Sequence, residues 1–254
     1  MTRLLLSLPE LELRVSWLKD HFGRWPAQTV AGRLDELCAQ SERSEPGARQ
    51  ALLAVACYFT AEGDSALVRE LRTIAEDAHL LSLGRMLCWG RVRGTSAPPI
   101  GPSPREEVPD YGTGRELTVG ERRSLARRPS RGHIEKMLAD PHPLVLRELL
   151  QNPYLVEADV LRLAARRPAH VAALEALARA PQWLCKGRVR MAIVQNPGTP
   201  AHIAGPLLVI CNRVELLQVV GNTTVPASLR ATAQELLARR PPIRDGDAAD
   251  RVLQ

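Results

Sequence analysis

Three pairs of arginines, each followed by proline, are the residues of this chain best equipped to hold a charged ligand: Arg127-Arg128-Pro129, Arg166-Arg167-Pro168 and Arg239-Arg240-Pro241. A guanidinium is always charged and offers planar N–H donors that grip phosphate or carboxylate two at a time. More cations stand nearby in sequence, at Arg122, Arg123, Arg131, Arg162, Lys186, Arg188 and Arg190. If the turns of a repeat align, Arg127, Arg128, Arg166, Arg167, Arg188, Arg190, Arg239 and Arg240 form a stripe for a protein partner or for phosphates, without reading sequence. Stability offers a competing account, because cations at helix C-termini meet the macrodipole favourably and arginine stems cover apolar rims. Aromatic residues for stacking on single strands are sparse after residue 116, with Tyr154 and Trp183 the only two.

Other chemistries find little support. The histidines at 21, 79, 133, 142, 170 and 202 include no HExxH spacing, and the five cysteines include no CxxC. A GxSxG elbow, a Walker loop and a GxGxxG turn are all absent. The acids Glu106-Glu107 fall in a proline-rich stretch without a dry pocket for general acid–base work. No catalytic residue, cofactor or metal is therefore expected. The odd count of scattered cysteines suits reduced thiols, and no apolar run is long enough to span a bilayer, so a cytoplasmic protein is expected. Charge is uneven: residues 1–90 carry 10 Lys and Arg against 12 Asp and Glu, whereas residues 116–254 carry 20 against 13.

The elements that position these arginines read as helices throughout. Apolar residues make up 45% of the chain but aromatics only 4%, so Leu, Ala and Val must fill a core of closely packed helices. Helical spacing predicts helices over Pro9–His21, after Pro26, over about Ala48–Thr60, from Asp64 or Ser65 to Ala78, and over Leu80–Trp89. These form an N-terminal helical bundle, residues 1–92. Residues 94–114 hold five prolines and four glycines with little to bury, so 93–115 reads as a linker.

A repeat follows over 116–242, with a tail at 243–254. Six octets precede prolines: 121–128, 145–152, 160–167, 173–180, 189–196 and 233–240. Positions one, five and six supply an apolar stripe, position seven is Arg or Gln, and a small or polar residue at eight with proline beyond ends the helix. The stops are Asn152-Pro153, Pro168 and Asn196-Pro197, where Asn also tolerates the left-handed backbone of a helix end. Start signals follow: Thr118 with Glu121 makes a capping box, and Thr199-Pro200 caps a helix with proline at its first turn. With weaker stops included, helices recur about every 14 residues, a spacing that predicts stacked helical pairs.

The string Asn196-Pro-Gly-Thr-Pro200, with Gln151-Asn-Pro153 and the helices before each, resembles the leucine-rich-variant repeat and the broader HEAT-like group over about 116–242. The resemblance implies an all-α fold, with an N-terminal bundle followed by an α-solenoid. It also implies a non-enzymatic scaffold that binds a protein partner. HEAT-like DNA glycosylases share the architecture and give a nucleic-acid-binding alternative, for which Asp159 with Trp183 would have to serve in the groove. A third alternative is an enzyme without a local motif, sited where bundle and solenoid meet.

Overall fold

The computed structural model describes residues 1–63, 65–87, 108–128 and 130–240. Among these the chain is all-α, with sixteen helices and no strand. The first six are α1 (Thr2–Ser7), α2 (Leu11–Phe22), α3 (Ala27–Glu42), α4 (Ala48–Glu62), α5 (Ala66–Asp77) and α6 (Leu81–Leu87). Helix α4 has twelve buried residues on all its faces, as its nearly unbroken apolar sequence requires. Helices α1, α2 and α3 pack on it, while α5 and α6 close the far side of α3. The expected end of the last helix at Trp89, the linker residues 93–107, Pro129, Pro241 and the tail 243–254 lie outside the described residues.

Ten helices follow: α7 (Val119–Arg127), α8 (Arg131–Met137), α9 (Pro143–Leu149), α10 (Glu157–Ala165), α11 (Val171–Ala178), α12 (Pro181–Leu184), α13 (Gly187–Val194), α14 (Ala201–Leu208), α15 (Arg213–Gly221) and α16 (Ala227–Arg239). Helix α9 lies between α7 and α11, α10 packs along α13, and α15 along α16. Helix α4 meets both α11 and α14, and one cluster of buried apolar side chains runs from Leu5 to Leu236. Hydrogen bonds join the early helices to the late ones: the Thr60 hydroxyl donates to the Ala178 carbonyl at 2.9 Å, and Arg240 Nη1 to the Ser41 carbonyl at 3.2 Å.

Local signals explain most boundaries. Helix α7 starts on the Thr118/Glu121 capping box, and His142 and His170 each accept a backbone N–H through Nδ1 at the starts of α9 and α11. Thr199 behaves otherwise than expected. Pro200 itself stands at the cap position of α14, and the buried Thr199 hydroxyl turns back to donate to the Ile193 carbonyl at the end of α13. Asn212 caps α15 in a box with Glu215. Residues 108–115, read with the linker, carry a buried Tyr111 whose hydroxyl donates to Asp140 at 2.6 Å.

Candidate functional site: helix ends and the groove between α9 and α11

The two kinds of helix stop turn out to be partners. Asn152, beyond the end of α9, donates from Nδ2 to the Ala126 and Arg128 carbonyls at 2.7 and 2.9 Å. Its Oδ1 accepts the Tyr154 N–H at 2.9 Å. Asn196, beyond the end of α13, repeats the arrangement on the Ala164 and Arg166 carbonyls at 2.7 and 3.2 Å, with Oδ1 accepting from Gly198 at 3.0 Å. Two of the three Arg-Arg ends thus supply the orphan carbonyls of a terminated helix to a buried Asn, while at the third Arg213 donates to the Leu237 and Arg240 carbonyls at 3.0 and 2.9 Å. Neither Asn adopts the left-handed backbone expected of it; among the described residues the non-glycine positions with positive φ are Ser44 and His79. Ahead of the following prolines Pro153 and Pro197, the asparagines act as clamps between neighbouring helices.

These clamps order the arginines in space. The ends of α7 and α9 lie side by side, and so do the ends of α10 and α13. Helix α8 begins three residues after Arg128, and its first residue, Arg131, holds Asp159 in the first turn of α10. Glu157, also in that turn, lies 3.7 Å from Lys186 and 3.8 Å from Arg188 at the start of α13. One edge of the molecule therefore gathers the ends of α7 and α9 with the starts of α8, α10 and α13. Arg127 and Arg128 belong to this edge. Arg166 and Arg167 lie at the opposite end of α10, about 13 Å along the helix, where Arg167 faces Thr224 at 3.5 Å.

The stripe expected of eight arginines is broken further by burial. Arg190 is 1% exposed and donates to the Leu184 and Cys185 carbonyls at 2.8 and 3.0 Å. Arg240 is 3% exposed and donates to the Val209 carbonyl at 2.7 Å as well as to Ser41. Both guanidiniums cap the ends of other helices, out of reach of a ligand. Arg239 is exposed at the end of α16. Arg127 is engaged by Glu148, which accepts from its Nε and Nη2 at 2.8 and 2.7 Å and from Arg123 at 2.7 Å. Those two cations hold the Glu148 carboxyl at about 2, Arg127 contributing more. Asp159 is likewise held at about 2, first by Arg131, then by the Val156 N–H and Arg162.

A groove of about 560 Å³ runs between α9 and α11 and ends at α12. Pro143, Leu144, Ala172, Ala176 and Pro181 give it apolar walls, with Arg147, Gln151, Glu175, Arg179, Gln182 and Glu12 among its polar lining. No lining residue is a Ser, Thr, Cys, His or Asp. Asp159 and Trp183 do not meet there, for Asp159 is saturated by two arginines and the Trp183 indole N–H donates to the Leu150 carbonyl at 2.8 Å. Burial pushes the Cys57 and Cys211 thiols up to about 12, which keeps both protonated at neutral pH. Among the described residues no three metal-ligating side chains cluster, and no helix is long and apolar enough to cross a membrane.

The arginine stripe was visible in the sequence as a string; the groove was not, since its walls come from helices that no local spacing brings together. The octets did hold one usable signal. Position two is buried in Arg122, Leu146 and Leu174, though exposed in Gln234, and Arg190 at the same position of its octet is buried too. Set against protein-family models, curated proteins and solved structures, the chain matches none.

Proposed function

We propose that this chain is a non-enzymatic interaction scaffold, its later helices stacked as a short α-solenoid, and that a protein partner docks in the groove between α9 and α11. The observation that carries the reading is the groove itself: long, open, apolar along its walls and polar at its rim, it suits an amphipathic helix or extended segment. The solenoid reading is supported by the recurring clamps, in which Asn152 joins α7 to α9 and Asn196 joins α10 to α13. The likeness of Asn196–Pro200 to leucine-rich-variant turns points the same way.

Ala172 and Ala176 stand one turn apart on the α11 wall and are half-buried. Substituting both with Arg fills the groove without touching the clamps. The double variant is expected to melt within about 3 °C of the parent, since changes at the surface usually stay within ±0.5 kcal/mol each. It should lose the protein that co-purifies stoichiometrically with the tagged parent from its native cells. Retention of that protein by the filled variant, or the absence of any stoichiometric protein from the parent, contradicts the proposal.

A further inference from the structure

We infer that the edge where α8, α10 and α13 begin is a second interaction surface, independent of the groove, and that it holds the phosphodiester backbone of a nucleic acid. The first ground is where the cations stand. Arg131 is the first residue of α8, Lys186 caps α13 and Arg188 is its second residue, and neither helix has an acid in its first turn. The positive end of a helix dipole disfavours cations there. Stability accounts for Arg127 and Arg239, which sit in last turns, and for Arg131, which holds the buried Asp159, but not for Lys186 and Arg188, whose contacts to Glu157 at 3.7 and 3.8 Å are loose and solvated. A sequence that breaks a local rule at one place on its surface marks that place for function.

Charge balance is the second ground. Three carboxylates at or beside this edge are each shared by two cations: Glu148 by Arg123 and Arg127, Asp159 by Arg131 and Arg162, Glu157 by Lys186 and Arg188. Glu135 also faces Arg131. Arg128 is exposed and has no carboxylate partner among the described residues, which leaves seven cations against four carboxylates. Sharing a carboxylate leaves much of each cation in solvent, from 37% of the Arg123 side chain to 80% of that of Arg188. The line runs from α8, whose Arg131 reaches Asp159 on α10, to α13, which packs along α10.

The character of the edge decides the partner. A protein interface needs a dry apolar centre, and the large exposed apolar residues here are Tyr154 and Val156, in the turn between α9 and α10. A line of arginines with one exposed aromatic fits a chain of phosphates, which guanidiniums grip bidentately and beside which Tyr154 can stack a base.

Fluorescence anisotropy of the full-length protein with a labelled 20-nucleotide single strand, and separately with a 20-base-pair duplex, tests this in 50 and 200 mM salt. Binding to at least one probe at 50 mM salt is expected, falling steeply at 200 mM through counterion release. Reversing two exposed cations of the edge, Arg128→Glu with Arg188→Glu, should weaken binding about tenfold or more. The same charge change placed elsewhere, Arg69→Glu with Arg167→Glu, should cost less than about threefold. A milder pair, Lys186→Gln with Arg188→Gln, should weaken binding while melting no earlier than the parent, because it removes cations from a helix start. Failure of both probes to bind at 50 mM salt, equal losses from the two double reversals, or displacement of the nucleic acid by an equal charge of polyglutamate would each overturn the inference. The last result assigns the edge to an acidic protein.

Discussion

Replacing Asp140 with Ala should destabilise the protein by about 3–5 kcal/mol, the cost of leaving a buried cation without its partner. Asp140 is fully buried beneath the start of α9. It takes Arg122 Nη1 on both oxygens, at 2.8 and 2.6 Å, the Tyr111 hydroxyl at 2.6 Å and the His142 N–H at 2.8 Å. The carboxylate therefore ties three pieces together: the strand of coil before α7, α7 itself and the turn into α9. Removal strands the Arg122 guanidinium, which is also buried and has no other ion pair among the described residues. Tyr111→Phe deletes one hydrogen bond to the carboxylate and should cost only about 1.5–3 kcal/mol. Urea unfolding followed by circular dichroism gives both values. A loss within 1 kcal/mol of zero for Asp140→Ala would mean that the pair does not hold the start of α9.

Asn196→Asp is the second large effect, expected at roughly 3–5 kcal/mol, against about 2–3 for Asn196→Ala. Alanine leaves the Ala164 and Arg166 carbonyls and the Gly198 N–H without the partners that Asn196 gives them. Aspartate is worse: it is nearly the same shape, but it turns a negative oxygen toward two carbonyls where the amide placed a donor. Asn196→Gly separates the clamp from the alternative. Were Asn196 present because it tolerates a left-handed helix end, glycine would serve as well or better. The clamp predicts that glycine costs at least as much as alanine, and thermal melts of the three variants read the order directly.

What the sequence disclosed follows the range of the interactions concerned. Helix positions, the Thr118–Glu121 box and the outward course of position seven depend on neighbours within a turn, and the spacing of residues carries them. The Asn clamps depend on carbonyls 24 to 32 residues away, so Asn152 and Asn196 looked like local stops. Thr199 was legible as a polar residue before proline, but not as a hydroxyl turned back on α13. Tyr111 stood among glycines and prolines, where composition argues for a linker, and its burial needs Asp140 from another part of the chain. The eight arginines stood out in the sequence as a string of charge. Their sorting into buried caps, engaged pairs and free cations needed the third dimension, because the direction of each helix decides which edge its end occupies.

The scaffold reading stands or falls on whether anything enters the groove between α9 and α11. Site-specific photo-crosslinking in living cells measures this most directly, with a benzophenone amino acid placed at Ala176 in the groove and, as a control, at Thr73 on the exposed face of α5. The account predicts a discrete crosslinked product of one protein partner from position 176 and none of that product from position 73. Equal crosslinking from both positions, or no protein crosslink at 176, would contradict it.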